Sequence, residues 1–329
     1  MRAAVLRALL LSVLAAAAAR ADDEGVVVWY AGTHSLHPAM AAAFMAAHPR
    51  TRVELVQLGG PALTARFTAD QERGVQAADV FSSGLTECYP GLRRRGWLAD
   101  LRGLPHWGEL PAWAKDPRGA YAFFHVVRHC IAVNTELVPP QRRPRSYAEL
   151  AEPRWKDQVA LVDPDTGGTG LYLARFAAAH GGLGLGWLAR LRANGARLFF
   201  QSGQLTEAVA SGRRAVGLDR DVEVAEARRA GAPIECVFAS EGLPLQFTVV
   251  AVNSRAPHPK TARLFADWLI SAEGRQVVTQ AGFLAPRGRR PQAVWPKAWV
   301  LDVESLDDAE AKAFAGRVSR ELKGPSGGR

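Results

Sequence analysis

The sequence predicts an α/β protein of mostly parallel sheets, with a first domain that the chain leaves and later re-enters. Short apolar runs alternate with helical segments from Val26 onward. Two long β-rich stretches, Tyr121 to Val133 and Phe247 to Val252, lie far apart and flank a self-contained middle. A pair of crossing segments makes a hinge, and hinges around a cleft close on ligands. No internal repeat of solenoid length is visible.

The elements follow in order. Val26 to Tyr30 (VVVWY) is a compact buried strand. Pro38 opens a helix that runs to Ala47 and stops at His48-Pro49, because proline suits a first helical turn and follows helix ends. Arg52 to Leu58 alternates as a second strand, and Leu63 to Arg73 reads as a helix stopped at Gly74. Ala78 to Phe81 is a third strand, from which Ser82-Ser83-Gly84 leads into another helix. After the long stretch from Tyr121 comes a turn-rich segment, Asn134 to Pro144, and a short helix, Tyr147 to Ala151. Val159 to Val162 is a strand that enters a Gly-rich loop, Asp163 to Gly170. Helices follow at Leu171 to Ala179 and Trp187 to Asn194, the latter closing on Gly195, a C-cap residue type. Thr206 to Ala210 and Val222 to Ala230 are helical; Ala215 to Leu218 and Pro233 to Phe238 are strands. Pro259 to Ile270 is the clearest helix, with Leu264, Phe265, Trp268 and Leu269 at helical spacing. Helices at Ala272 to Gln280 and Asp307 to Leu322 complete the chain, and Gly324 to Arg329 is expected to fray.

The N-terminal segment 1–21 has the form of a secretory signal peptide. Arg2 and Arg7 precede an apolar run from Ala8 to Ala19, and Ala19-Arg20-Ala21 is an A-x-A cleavage pattern. That run is too short to span a bilayer, and no cysteine follows it to take a lipid anchor. The expected location is outside the cytoplasm, which the resemblance given below narrows to the periplasm. The chain has 329 residues and a formal charge of +9; removing Arg2, Arg7 and Arg20 leaves +9 − 3 = +6. The excess lies in scattered clusters such as Arg93 to Arg95, Arg142-Arg143 and Arg287 to Arg290. They are not interleaved with aromatic residues as a single-strand binder requires, so no nucleic acid is expected.

Cys88, Cys130 and Cys236 permit at most one internal disulfide. No spacing among them resembles a metal or redox motif, and the reading favoured by composition is buried free thiols. Enzyme signatures are missing. There is no G-x-S-x-G elbow and no HExxH, and His34 and His37 have no evident third ligand. Neither a catalytic residue, a metal nor a cofactor is expected.

Several segments carry a family resemblance: VVVWYAG (Val26 to Gly32), ADVFSSG (Ala78 to Gly84), GWLADL (Gly96 to Leu101) and IAVNTELV (Ile131 to Val138). The longest are Pro144 to Gly170, which holds DPDTGGTG, and Ala256 to Val278. In this order they resemble the type II periplasmic solute-binding proteins of ABC importers, in the ferric-iron-like group (extracellular solute-binding family 1). The resemblance covers nearly the whole chain after the leader. It implies a two-lobed fold, each lobe a mostly parallel sheet flanked by helices and joined by two crossing strands. Lobe 1 is expected over 22–130 and 253–329, lobe 2 over 131–252, with hinge strands near 125–133 and 247–252. It also implies a monomer that hands a small-molecule ligand to an ABC transporter permease. Iron-binding members carry a tyrosine pair at a strand end in the second lobe. The matching stretch here, Gly217 to Val222, holds no tyrosine and places Arg220 between Asp219 and Asp221. Ferric iron prefers anionic oxygens, so the expected ligand is instead a small anionic organic solute: a phosphonate, a sugar phosphate or a carboxylate. A ferric iron receptor and a periplasmic sensor for a histidine kinase are the alternatives.

The candidate ligand-binding residues lie in loops beyond strand carboxyl ends, where backbone N–H groups and helix N-termini favour anions. They are Thr33, His34 and Ser35 after the first strand; Ser82 and Ser83 after the third; and Thr166, Gly167, Gly168 and Thr169 in the Gly-rich loop. Asp219 and Arg220 end a strand of the second lobe, Arg220 offering a planar fork for a carboxylate or phosphate. Gln201, with Ser202 and Gln246, is a weaker candidate.

Overall fold

The computed structural model describes residues 25–33, 35–166, 168–180, 182–302 and 308–324; the segment 1–21 read as a signal peptide, His34 and Gly167 lie outside these. The first lobe begins with β1 (Val26–Gly32), β2 (Arg52–Leu58) and β3 (Val80–Ser83). β1 lies between β2 and β3, parallel to both. Its alternation decides the layering. Val27, Trp29 and Ala31 pack in one core cluster with α1 (Leu36–Ala47), while Tyr30 faces the opposite cluster with Phe67 of α2 (Gly60–Glu72).

Two strands join the lobes. β4 (Ala122–Asn134) pairs antiparallel with β9 (Leu243–Val252) from Ala122 to Arg128, then with β7 (Val216–Arg220) from His129 to Val133. β9 in turn pairs antiparallel with β3. The second lobe places β5 (Val159–Val162) parallel to both β7 and β6 (Arg197–Phe199). β8 (Ile234–Val237) pairs with β4, and the two-residue β10 (Ala298–Trp299) with β9. Each lobe is thus parallel except where the crossing strands and β8 run antiparallel.

Helices cover the sheets. The first lobe adds α3 (Tyr89–Arg94). The second has α4 (Gly168–Ala179), α5 (Gly184–Ala193), α6 (Ser202–Ala210) and α7 (Asp221–Arg229). The chain then returns through α8 (Pro259–Ile270), α9 (Ala272–Gln280), the single-turn α10 (Pro291–Val294) and α11 (Asp308–Lys323). α8 and α9 have the bounds read from periodicity. Ala262, Phe265, Ala266 and Leu269 of α8 are fully buried, but Leu264 is 43% exposed and is not part of the buried face. Burying a Phe or Leu side chain is worth about 1.5–3 kcal/mol, so this face fixes the helix on the sheet. Gly195, at φ +77°, ends α5; a Cβ there would meet Asp157 Oδ1 at 1.9 Å.

Two expectations are corrected. Residues 253–329 were expected in the first lobe, but α11 packs on the second. Phe314, Val318 and Leu322 share a core with Trp187, Leu188 and Leu191 of α5. Arg192 Nη1 donates to the Arg320 and Glu321 carbonyls at 3.0 and 2.8 Å. The apolar stripe at helical spacing shows that α11 buries a face; only tertiary packing decides which lobe receives it. The cysteines are not all free thiols. Cys130 and Cys236 form a disulfide, while Cys88 stays outside it and donates from Sγ to the Leu85 carbonyl at 3.0 Å. Ala132 is the register partner of Cys236, so Cys130 is its diagonal neighbour on the same sheet face, with Cα atoms 5.7 Å apart.

Candidate functional site

A cleft lies between the lobes at the strand ends. Its wall on the first lobe begins where β1 ends. Thr33 N donates to the Leu58 carbonyl at 3.1 Å, and His37 donates from Nδ1 to the Gly32 carbonyl at 2.8 Å. Gly32, Thr33 and His37 line the cleft. Ser35 is not among the lining residues, and its hydroxyl makes no cap bond to α1. It reaches instead to Glu226 Oε1 of α7 at 2.9 Å, a contact between lobes.

The β3 end splits its two serines. Ser83 lines the cleft, and its hydroxyl accepts from Leu85 N at 3.0 Å. Ser82 is fully buried and accepts from the Trp29 indole at 2.8 Å, so strand alternation turns it into the core and away from the cleft. The neighbouring Gly84 carbonyl accepts from Gln246 Nε2 at 3.0 Å. Gln246 Oε1 in turn faces His129 Nε2 at 3.2 Å, so the glutamine bridges the crossing strands and the first lobe.

The second lobe supplies the opposite wall. Thr166, Gly168 and Thr169 line the cleft at the start of α4, together with Gln201 and Ser202 at the start of α6. Thr169 and Ser202 hydroxyls meet at 3.4 Å, and Thr166 Oγ1 donates to the Phe200 carbonyl at 2.7 Å. Two helix N-termini therefore open on one space, and helix-start N–H groups favour an anion there. Gly170, just behind, has no alternative: a Cβ would lie 2.2 Å from the Val162 carbonyl.

Arg220, at the end of β7, is the charged side chain among the described lining residues. Its Nη2 bonds Glu223, while its Nε has no hydrogen-bond partner among the described residues. Burial raises the Glu223 carboxyl above the usual range, and the Arg220 charge works against that rise. Asp219 is fully buried and does not line the cleft. It accepts from Thr206 Oγ1 at 2.5 Å and Arg220 N at 2.9 Å, so it fixes the strand end instead. Three buried histidines, His37 of the lining with His125 and His129, are held toward the neutral form. Burial holds His37 down to about 4 and His129 to about 3, and drives His125 well below the usual range. The nearby Arg220 charge adds in the same direction.

The cleft thus brings together Thr33, Ser83, Thr166, Gly168, Thr169, Gln201 and Arg220 from the sequence-derived set. It adds His37, Gly59, Gly60, Phe200 and Thr248. Gly59-Gly60 before a helical run was a readable signal. Thr248 had none, because a strand residue's face is set by register. No group of His, Cys, Asp and Glu among the described residues is arranged to hold a metal ion. No helix among them is long and apolar enough to cross a membrane.

Comparison with known proteins gives the same architecture. The family model described as bacterial extracellular solute-binding protein matches residues 26–284. The substrate-binding protein of an ABC transporter from Agrobacterium tumefaciens superposes with a TM-score of 0.81 at 18% identity, over 91% of this chain and 95% of that one. The periplasmic binding protein AfuA from Actinobacillus pleuropneumoniae, with fructose-6-phosphate bound, gives 0.73 at 20% identity, over 91% and 97%. Iron-bound HitA from Pseudomonas aeruginosa gives 0.72 at 20% identity, over the same shares. An uncharacterized protein of Haemophilus influenzae is 28% identical over 155 residues, 46% of this chain; the match spans 45% of that protein, under half its length.

Proposed function

The chain belongs to the bacterial extracellular solute-binding protein family, and from that premise we propose that it is the receptor of an ABC importer for a small anionic organic solute. The observation that carries the anionic reading is Arg220. It faces a lining whose other polar groups are mainly hydroxyls, amides and glycine backbone, at the N-termini of α4 and α6. Guanidinium and helix-start N–H groups both favour carboxylate or phosphate oxygens. The same lining suits ferric iron poorly, since a hard trivalent cation needs anionic oxygens and would meet Arg220 instead. Phosphonates, sugar phosphates and carboxylates all fit this chemistry. A signal peptide delivers the protein to the periplasm, and the loaded receptor docks as a monomer on a permease.

Native mass spectrometry of gently purified protein identifies a co-purifying solute. Calorimetry then compares wild type with Arg220→Gln in a Glu223→Gln background, so that no carboxylate is left buried without its partner. Loss of a charge-assisted bond, about 1.5–3 kcal/mol, weakens binding roughly ten- to hundredfold. Wild-type affinity in the double variant would overturn the anionic reading.

A further inference from the structure

The cleft holds one feature that an anion alone does not use. Phe200 lines it and is 63% exposed, the most exposed large apolar side chain among the described residues. Its neighbour Phe199 ends β6 and packs against the second-lobe core. Strand alternation therefore turns Phe200 the other way, off the core. Its backbone is pinned on both sides: Phe200 N donates to Gln204 Oε1 at 3.1 Å, and the Phe200 carbonyl accepts from Thr166 Oγ1 at 2.7 Å. An aromatic side chain held out in water at a fixed backbone site loses hydrophobic stabilisation and recovers it only when something covers it. In the first-lobe wall Leu85 adds partly buried apolar surface.

We propose that Phe200 is a specificity-determining platform, and that the solute carries a flat or apolar group which covers it while the anionic group meets Arg220. The inference rests on the anionic reading above and narrows it from anions in general to amphipathic organic anions. Simple inorganic anions and short hydrophilic acids would use half of the site.

The test uses full-length protein freed of endogenous solute by partial unfolding and refolding. Its probes are phenylphosphonate and methylphosphonate, titrated calorimetrically. Wild type is expected to bind the phenyl compound at least about tenfold more tightly, the scale of an aromatic contact plus its buried area. Phe200→Ala should abolish the preference, weakening phenylphosphonate by roughly the full tenfold and methylphosphonate by much less, so that the two affinities converge. Because Phe200 is exposed, the variant should fold as wild type does, and an unchanged melting temperature checks this. Arg220→Gln in the Glu223→Gln background should weaken both probes alike. A phenyl preference that survives Phe200→Ala overturns the platform and leaves the anionic reading intact. A preference that depends on Phe200 but not on Arg220 retains the platform and overturns the anionic reading. Binding of neither probe by wild type counts against both.

Discussion

Gly59→Ala separates lobe closure from folding. Gly59 precedes α2 with φ −58° and ψ +147°, a conformation open to any residue. Its own lobe leaves room for a methyl group. The obstacle is the other lobe: a Cβ at Gly59 would lie 2.8 Å from the Thr166 carbonyl oxygen. A backbone atom cannot swing aside as a side-chain tip does, so the lobes must part by roughly half an ångström or accept overpacking worth about 1–3 kcal/mol. That penalty exists only when the lobes are together. Solute affinity is therefore expected to fall by a factor of about 5 to 150. The unliganded protein should become slightly more stable, by about 0.4–1 kcal/mol, because alanine restricts the unfolded chain. Calorimetry reads the first effect and denaturant unfolding the second, while small-angle scattering checks that less compaction accompanies binding. Gly60→Ala is the control, since a Cβ there meets nothing nearer than Leu85 Cβ at 3.5 Å. Unchanged affinity in Gly59→Ala would refute the argument that Thr166 closes against this residue. So would a loss of stability in the unliganded state.

Two further outcomes are expected. His37 is held near pKa 4 when folded, against about 6.5 when unfolded, so its contribution is intact above about pH 6.5 and is lost as pH falls toward 4, by about 3 kcal/mol in all. His37→Asn, which keeps a donor for the Gly32 carbonyl, should lose about that much less stability between pH 7 and pH 4 in urea titrations; an identical loss would show that His37 is not the group responsible. Removing the Cys130–Cys236 disulfide, which spans 106 residues of sequence, by paired alanine substitution should destabilise the protein by about 2–5 kcal/mol; unfolding midpoints that match those of oxidised wild type would contradict the pairing.

The sequence by itself determined the α/β alternation, the long β stretches that cross between lobes, and most loops that meet at the cleft. These are local or near-local facts. Period-two runs, proline at helix starts and glycine after helix ends act through the backbone of the residues concerned. The α8 and α9 bounds were legible for that reason. Loops beyond parallel strands come to one edge of a sheet whatever else the chain does, which is why Thr166, Gly168, Thr169 and Arg220 could be read as candidates and stand in the cleft lining. Tertiary structure decided the rest. Ser82 and Ser83 are equivalent in sequence, and the pleat sends one to Trp29 and the other to the cleft. Asp219 and Arg220 separate in the same way, one into the buried network with Thr206 and one into the cleft lining. The register of β8 on β4 joined Cys130 to Cys236, and the exposed apolar face of the second lobe captured α11. Gly59 acquires its meaning only when Thr166 of the other lobe stands 2.8 Å from an atom it lacks. Each of these depends on which distant residue lies opposite, and one-dimensional spacing carries no information about that partner.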